Sequence, residues 1–223
     1  MCAARSRRVV SLMVPIAALV CASAVPASPQ TVPGAAIVKI HNEKVHVVGQ
    51  TLAPGQAERR SGDRPGIVLF LDAGTAAVTA AGGDARSRIV QRGDGIYDPR
   101  LAGTVRNVGG SSLRLLRISY LGNGRAETWG TSGLSSNYTL LAEDRLARVY
   151  DIRIAAGGSE PQHTHHDRIV ICLSGADLEH VMPDGRRETS SLKTDDVVWR
   201  RGGTHIGRNL GRTALWAIAV EPK

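Results

Sequence analysis

Cysteine is scarce in this chain, and the shortage excludes a disulfide scaffold. Of the three cysteines in 223 residues, Cys2 and Cys21 lie within the first 30. Cys172 is then the single thiol of the remaining chain, and one thiol cannot form an intramolecular disulfide. It lies inside the apolar run 169–173, which favours a buried, unreactive side chain over a nucleophile.

Lysine is also rare. It occurs only at positions 39, 44, 193 and 223, so the net charge of +8 rests on arginine. The arginines are scattered, and they form neither a basic helix nor a basic patch interleaved with aromatic residues. This pattern indicates a solvated surface, and we expect no nucleic-acid partner. An anionic small molecule remains compatible with it.

The N-terminal apolar stretch, residues 9–20, is too short to span a bilayer, which takes about 20 residues. Three arginines precede it and small residues follow, with candidate cleavage sites at 22–24 and 25–27. This order is typical of a secretory signal peptide. We expect residues 1–30 to be removed and the protein to be periplasmic or secreted, without stable membrane insertion after cleavage. A lipid anchor on Cys21 or a retained N-terminal anchor is the alternative.

No sustained helical periodicity occurs in the remaining chain of about 190 residues. Short runs rich in Val, Ile, Leu and Thr are instead separated by turn residues every eight to twelve positions. This spacing predicts an all-β sandwich or barrel with few and short helices.

An internal repeat divides this part of the chain in two. Five blocks recur in the same order, three of them at an offset of 102 and one of them a residue out of register. The blocks are 47–55 with 149–157, 67–72 with 169–174, 93–97 with 194–198, 107–109 with 209–211, and 115–118 with 215–218. The repeat predicts one unit at 31–120 and a second at 138–223. Residues 121–137, rich in Gly, Ser and Asn, are expected to be the linker.

Histidine is concentrated in the second unit, where five of the seven histidines lie between positions 163 and 205. Alternate residues of a strand point to one face, so His163 and His165 are placed to offer two ring nitrogens to one ion. Imidazole is the commonest protein ligand for transition metals, which makes this pair a candidate metal site.

The spacing around these histidines resembles that of the cupin superfamily. Gly157 is followed after five residues by His163-Thr164-His165, and His205 has Gly202 three residues before it and Asn209 four after it. Because the first unit repeats the skeleton, the resemblance covers the whole chain after residue 30 and is to a two-domain cupin. It implies two tandem small jelly-roll β-barrels, with His163, His165 and His205 binding a divalent transition metal inside the second.

The glutamate ligand of the family is missing here, since its place falls on Ile169 or Arg168. Asp167 shares strand parity with His163 and His165 and is a candidate additional ligand if the strand continues that far. A site of three histidines is otherwise expected, which suits Fe(II) first and also Zn(II), Ni(II) or Cu(II). Mn(II) prefers carboxylate oxygen and fits less well.

Three further residues near the histidines have alternative interpretations. Arg168 contacts a substrate anion if it points inward, but we expect it to point outward and pair with Asp167 or Glu160. His166 is expected to lie in a turn and to be solvated. His180 is interpreted as a barrel histidine, or as an additional ligand, a residue that orients a ligand, or an acid or base of the pocket.

The first unit lacks this constellation. Ser61 and Asp63 stand where the second unit has His163 and His165, and Gly103 or Thr104 stands in the place of His205. We therefore expect no metal in the first unit and a structural role for it.

Two functions are compatible with these observations. By resemblance, the first is an iron-dependent, dioxygenase-type enzyme acting on a small organic or sulfur-containing molecule. The alternative is a cupin that binds a metal or small ligand without turnover, and a third possibility is that the histidines bind nothing. The sequence assigns no catalytic residue and no substrate, and it allows a monomer or a homodimer.

Overall fold

The structure is a computed structural model that describes residues 34–58, 64–79, 83–97, 103–122 and 133–223, all within one compact unit. The predicted signal peptide, Ser61, Asp63 and linker residues 123–132 lie outside these ranges. The described residues contain seventeen strands and no α-helix, which confirms the all-β prediction. Accordingly, no helix of the described part is long and apolar enough to cross a membrane.

The first barrel is built from β1 to β8. These strands are β1 (Ile37–His41), β2 (Val45–Leu52), β3 (Gly66–Phe70), β4 (Gly74–Thr79), β5 (Ala85–Val90), β6 (Gly95–Ile96), β7 (Thr104–Asn107) and β8 (Leu113–Tyr120). They form a five-stranded sheet in the order β1-β2-β8-β3-β6 and a three-stranded sheet in the order β5-β4-β7.

The second barrel is built from β9 to β17. These strands are β9 (Tyr138–Glu143), β10 (Ala147–Ile154), β11 (His163–His165), β12 (Arg168–Ser174), β13 (Ala176–Val181), β14 (Arg187–Leu192), β15 (Val197–Arg200), β16 (Gly203–Asn209) and β17 (Leu215–Pro222). They form a five-stranded sheet in the order β15-β12-β17-β10-β9 and a four-stranded sheet in the order β11-β16-β13-β14.

Both faces of the five-stranded sheets are buried. In β12, Ile169 and Ile171 pack in a core shared with the first barrel, whereas Val170 and Cys172 pack inside the second barrel. The shared core joins both five-stranded sheets, so the barrels pack face to face. Burial on two sides explains why residues 169–173 form an unbroken apolar run rather than an alternating one.

The repeat is visible strand by strand, and the structure corrects two of its matches. Gly93 and Asp195 occupy the same left-handed turn position, with φ of 85° and 72°, so this block stays at an offset of 102 without the predicted slip. Leu215 pairs with Ile154 as Leu113 pairs with Leu52, so Leu215 corresponds to Leu113 rather than to Leu115.

The two asparagines of the repeat have a structural role. The side-chain amide of Asn209 donates to the carbonyls of Ile154 and Thr213, and its oxygen accepts from the Gly211 backbone N–H. Asn107 makes the equivalent bonds in the first barrel. Asn209 therefore ties the loop after β16 to the end of β10 and does not contribute to the chemistry of the histidines.

A charged network connects the two barrels. Arg114 of the first barrel donates to Asp72 at 2.6 Å and to Asp195 of the second at 2.6 Å, while Arg92 donates to Asp195 and to the carbonyl of Leu173. The hydrogen bonds from Arg114 hold the pKa of Asp72 below its usual value. Burial opposes the same lowering at Asp195, where bonds from Arg92 and Arg114 prevail and the pKa is also lowered.

Candidate metal centre

The structure brings His163, His165 and His205 together inside the second barrel. His163 and His165 lie on one face of β11, and antiparallel pairing with β16 places His205 directly opposite His163. One nitrogen from each ring lies within 4.8 Å of the others, and all three side chains are buried. The strand parity of the His-x-His pair and the pairing of its neighbour strand thus create a compact three-nitrogen cluster.

Backbone carbonyls orient two of these rings. The Nδ1 atom of His163 lies 3.0 Å from the Pro161 carbonyl, and that of His165 lies 3.0 Å from the His166 carbonyl. A carbonyl oxygen can only accept a hydrogen bond, so each Nδ1 carries the hydrogen and donates it, and each Nε2 keeps a lone pair. The Nε2 atom of His165 is buried and has no hydrogen-bond partner. A buried acceptor of this kind is costly unless a ligand satisfies it, so the donor set fits a bound metal ion.

Burial also keeps the imidazoles in the form that binds metals. It lowers the pKa of His165 to about 3 and that of His205 to about 2, and it lowers the pKa of His163 as well. The three rings are therefore neutral near neutral pH, with their lone pairs available.

His180 lies beside the cluster without joining it. Its ring centroid is 4.6 Å from that of His205, on the neighbouring strand β13. Burial lowers its pKa to about 4, and the side chain lines the adjoining cavity. This position places His180 against His205 at the edge of the cavity, which is compatible with a residue that orients His205 or with an acid or base of the pocket.

The structure does not bring Asp167 to the histidines. β11 ends at His165, and Asp167 lies in the turn before β12, where it accepts a 2.7 Å hydrogen bond from the Gly202 backbone N–H. Its other carboxylate oxygen lies 3.8 Å from the Lys44 ammonium. Because the strand stops short, the parity argument for Asp167 as a ligand does not hold.

A carboxylate that the sequence reasoning missed lies next to the cluster. Glu160 is 4% exposed, its Oε2 is 3.7 Å from the Nε2 of His163, and its Oε1 is buried with no hydrogen-bond partner. Burial raises its pKa to about 7. The repeat contained a signal for it, since Glu58 stands 102 residues earlier and is buried as well.

Tyr138 is a second residue that was missed. Its hydroxyl lies 3.2 Å from the Nε2 of His163 and 3.4 Å from a guanidinium nitrogen of Arg168. Burial raises its pKa to about 12, so the hydroxyl keeps its proton. As the first residue after the predicted linker it carried no motif, and only the position of β9 in the sheet reveals it.

Arg168 points inward, contrary to our expectation. It begins β12 on the same face as Val170 and Cys172, is 6% exposed, and lines the cavity. His166 is also buried rather than solvated, at 7% exposure, and its backbone N–H donates to Glu221. The turn between β11 and β12 is only two residues long, which keeps both side chains close to the barrel.

A cavity of about 560 Å³ adjoins the cluster. His165, His180 and His205 line it together with Arg168 and Glu160, and the remaining wall includes apolar side chains of five strands, Ile152, Val170, Leu178, Leu192 and Leu215. This volume is in the range of about 300–1,000 Å³ typical of small-molecule sites.

The first barrel contains an ion pair where the second contains Glu160. Arg117 on β8 donates through Nε to Glu58 at 2.9 Å, and the Val105 backbone N–H donates to the same carboxylate at 3.2 Å. The side chain of Arg117 is 5% exposed and that of Glu58 is 0% exposed. The charge of the buried carboxylate is thus compensated by an arginine of the chain itself.

Comparison with known proteins identifies the fold. No protein-family model matches the chain, and no curated protein does. Among solved structures, a cupin 2 conserved barrel domain protein from Leptotrichia buccalis is 10% identical, with a TM-score of 0.55 and coverage of 85% of this chain and 88% of that one. Oxalate decarboxylase from Lactobacillus farciminis, in a formate complex, is 12% identical, with a TM-score of 0.58 and coverage of 82% and 78%.

Oxalate decarboxylase from Bacillus subtilis, which has Mn(II) centres, is 13% identical to this chain. Its TM-score is 0.53, with coverage of 80% of this chain and 69% of that one. At such identities the likeness concerns the fold. The chain has the cupin fold, as the resemblance implied, with two jelly-roll barrels in tandem.

Proposed function

We propose that this two-barrel cupin binds a divalent transition metal through His163, His165 and His205 and acts on a small organic molecule in the adjoining cavity. The buried, unpartnered Nε2 of His165 within a cluster of three nitrogens is the observation that supports it most. The proposed reaction is a dioxygenase-type oxidation with iron.

The donor set restricts the choice of metal. Three neutral imidazoles suit Fe(II), Zn(II), Ni(II) and Cu(II). Glu160 beside His163 supplies the carboxylate whose absence from the sequence motif had argued against Mn(II), so manganese joins the candidates. When bound, such a metal supplies Lewis-acid chemistry and, for iron or manganese, redox chemistry to a molecule in an adjacent position.

Residues of the chain would orient the molecule and limit its contact with water. The Tyr138 hydroxyl offers a hydrogen bond next to His163, and the free Oε1 of Glu160 offers an acceptor. The apolar side chains of the cavity wall exclude water from part of the volume, which strengthens the electrostatic contacts of a bound molecule.

We also propose that the protein acts in the periplasm or outside the cell. The proposal rests on the charge, length and small-residue order of residues 1–30. N-terminal sequencing of protein recovered from cell fractions tests it. We expect a new N-terminus near residue 25 or 28 in a periplasmic or secreted fraction; an intact chain in the cytoplasmic fraction would contradict it.

Oxygen consumption tests the proposed reaction. The protein is depleted of metal, reloaded with Fe(II), and assayed against thiols, diketones, flavonoids and aromatic acids. We expect uptake with at least one class, which is lost on metal removal and in His163→Ala but retained in His41→Ala, an exposed histidine of the first barrel. Metal binding without uptake for any class would instead support the binding protein without turnover.

A further inference from the structure

Two arginines face each other inside the second barrel. The pairing of β12 with β15 places Arg168 directly opposite Arg200, and both side chains line the cavity. Like charges directly opposite on one face of an antiparallel pair destabilise the sheet. Their presence at this position calls for a compensating negative charge.

The described residues do not supply that charge by direct pairing. Neither Arg168 nor Arg200 forms an ion pair with a carboxylate of the described chain, and the Nε of Arg168 is buried without a hydrogen-bond partner. The 3.4 Å contact with the Tyr138 hydroxyl is the hydrogen bond that Arg168 makes. Glu160 and Glu221 attract Arg168 from a distance: burial raises the pKa of both carboxyls, and the charge of Arg168 opposes that rise.

The charge of the cavity is positive even when both glutamates are counted as ionised. The three cluster histidines are neutral, and Arg168 and Arg200 balance Glu160 and Glu221, so the excess positive charge is that of Arg201 at the rim. At the rim, Arg186 is paired with Glu188, while Arg201 is exposed. An anion from solution would therefore be attracted to this cavity.

The cavity wall limits what kind of anion fits. Besides its charged, histidine and other polar residues it includes apolar side chains from several strands, namely Ile152, Ile154, Val170, Leu178, Met182, Leu192 and Leu215. An inorganic anion would leave this apolar surface uncovered, whereas an organic body buries it. The planar guanidinium matches the geometry of a carboxylate, which it binds through two parallel hydrogen bonds.

We propose that the cavity selects a small organic carboxylate, whose carboxylate group is held by Arg168 and Arg200 while its apolar body packs on Leu178, Met182 and Leu192. This inference rests on the proposed function, because it names the substrate class of the same site. It assigns Arg200, on which the sequence carried no signal, to specificity together with Arg168.

Calorimetric titration with matched pairs of probes tests the proposal. The pairs are acetate and acetamide, hexanoate and hexanamide, and benzoate and benzamide, in which the charge differs and the shape is nearly kept. Each is titrated into metal-free and metal-loaded protein, with inorganic phosphate as an anion that lacks an apolar body. We expect at least one of the larger carboxylates to bind about tenfold or more tightly than its amide, in both forms of the protein.

Variants assign the effect to the arginines. Arg200→Gln should weaken carboxylate binding by about tenfold or more and leave amide binding unchanged. Arg168→Gln should do the same. Arg200 is only half-buried, so Arg200→Gln should fold. If Arg168→Gln does not fold, the test rests on Arg200→Gln. Arg212→Gln removes the same charge from an exposed position outside the cavity and should have no effect.

The outcomes separate this proposal from the one on which it rests. Equal affinity for carboxylates and amides, or unchanged binding by Arg200→Gln, would overturn the carboxylate site even if metal binding is found. Phosphate binding as tight as that of hexanoate would show a general anion site and overturn it too. If the protein binds no metal but the metal-free protein still prefers carboxylates to amides, the proposed function is refuted and the carboxylate site is retained.

Discussion

The buried ion pair of the first barrel gives a large and specific stability prediction. The Glu58 carboxylate is fully buried and Arg117 is 5% exposed. Replacing Arg117 with Met leaves the Val105 backbone N–H as the donor that remains to the buried Glu58 carboxylate. Removing one member of such a pair costs about 3–5 kcal/mol. For a chain of this size we expect Tm to fall by roughly 6–20 °C.

The double variant shows whether charge, rather than volume, is responsible. Glu58→Leu combined with Arg117→Met removes both charges and keeps an apolar interior of similar size, so most of the stability should return. Thermal and urea unfolding followed by circular dichroism measure the four members of this double-mutant cycle. If Arg117→Met costs less than about 1 kcal/mol, or if the double variant is as unstable as the single one, the ion pair does not hold the interior of this barrel.

Three further predictions concern the rest of the chain. Arg114→Gln should lower the free energy of unfolding by about 1 kcal/mol near neutral pH, since exposed pairs contribute about 0.2–1 kcal/mol each. Because the folded-state pKa values of Asp72 and Asp195 are lowered, their contribution to stability is present above about pH 3.8 and is lost as the pH falls below it. The unfolding free energies of the unmodified protein and of Arg114→Gln should therefore converge in acid. A difference that stays constant with pH would contradict the network. Glu160→Gln should weaken Mn(II) binding more than Zn(II) binding in competition titrations, since Mn(II) prefers carboxylate oxygen, and equal effects would remove Glu160 from the donor set. Cys172 is fully buried, and burial raises the pKa of its thiol to about 11. In protein lacking residues 1–30, a disulfide reagent should therefore label this thiol only after unfolding. Rapid labelling of the folded protein would contradict its position in the core.

The parts of the fold that depend on local periodicity could be predicted from the sequence. Short apolar runs at regular spacing predicted strands, and the offset of 102 predicted two similar barrels. The parity of His163 and His165 predicted that they share a face. The resemblance then led to His205, which strand pairing places opposite His163.

The parts that depend on where a strand begins or ends could not be predicted. Asp167 lies outside the cluster because β11 stops at His165. Arg168 points inward because β12 begins at this residue, so that Arg168 and Val170 lie on the same face of the strand. If β12 began one residue later, Arg168 would belong to the turn and its direction would not follow from the strand. The exact matching of the repeat at Gly93 and Leu215 failed for a similar reason, since weak sequence similarity does not resolve shifts of one or two residues.

Glu160 could have been found from the sequence. In the family motif the glutamate comes after the histidines, whereas Glu160 precedes them, so the motif does not point to it. Glu58 at the same place in the first barrel was the available signal. Tyr138 and Arg200 carried no such signal, because their position in the site follows from sheet order alone.

The metal content of the purified protein tests the central claim most directly. Elemental analysis after reconstitution should give one divalent transition metal ion per chain, and His163→Ala or His205→Ala should abolish or sharply reduce it. His41→Ala should retain full occupancy, because this exposed histidine lies in the first barrel. A negligible metal content after reconstitution, or full occupancy in either cluster variant, would contradict the assignment of the three histidines as a metal site.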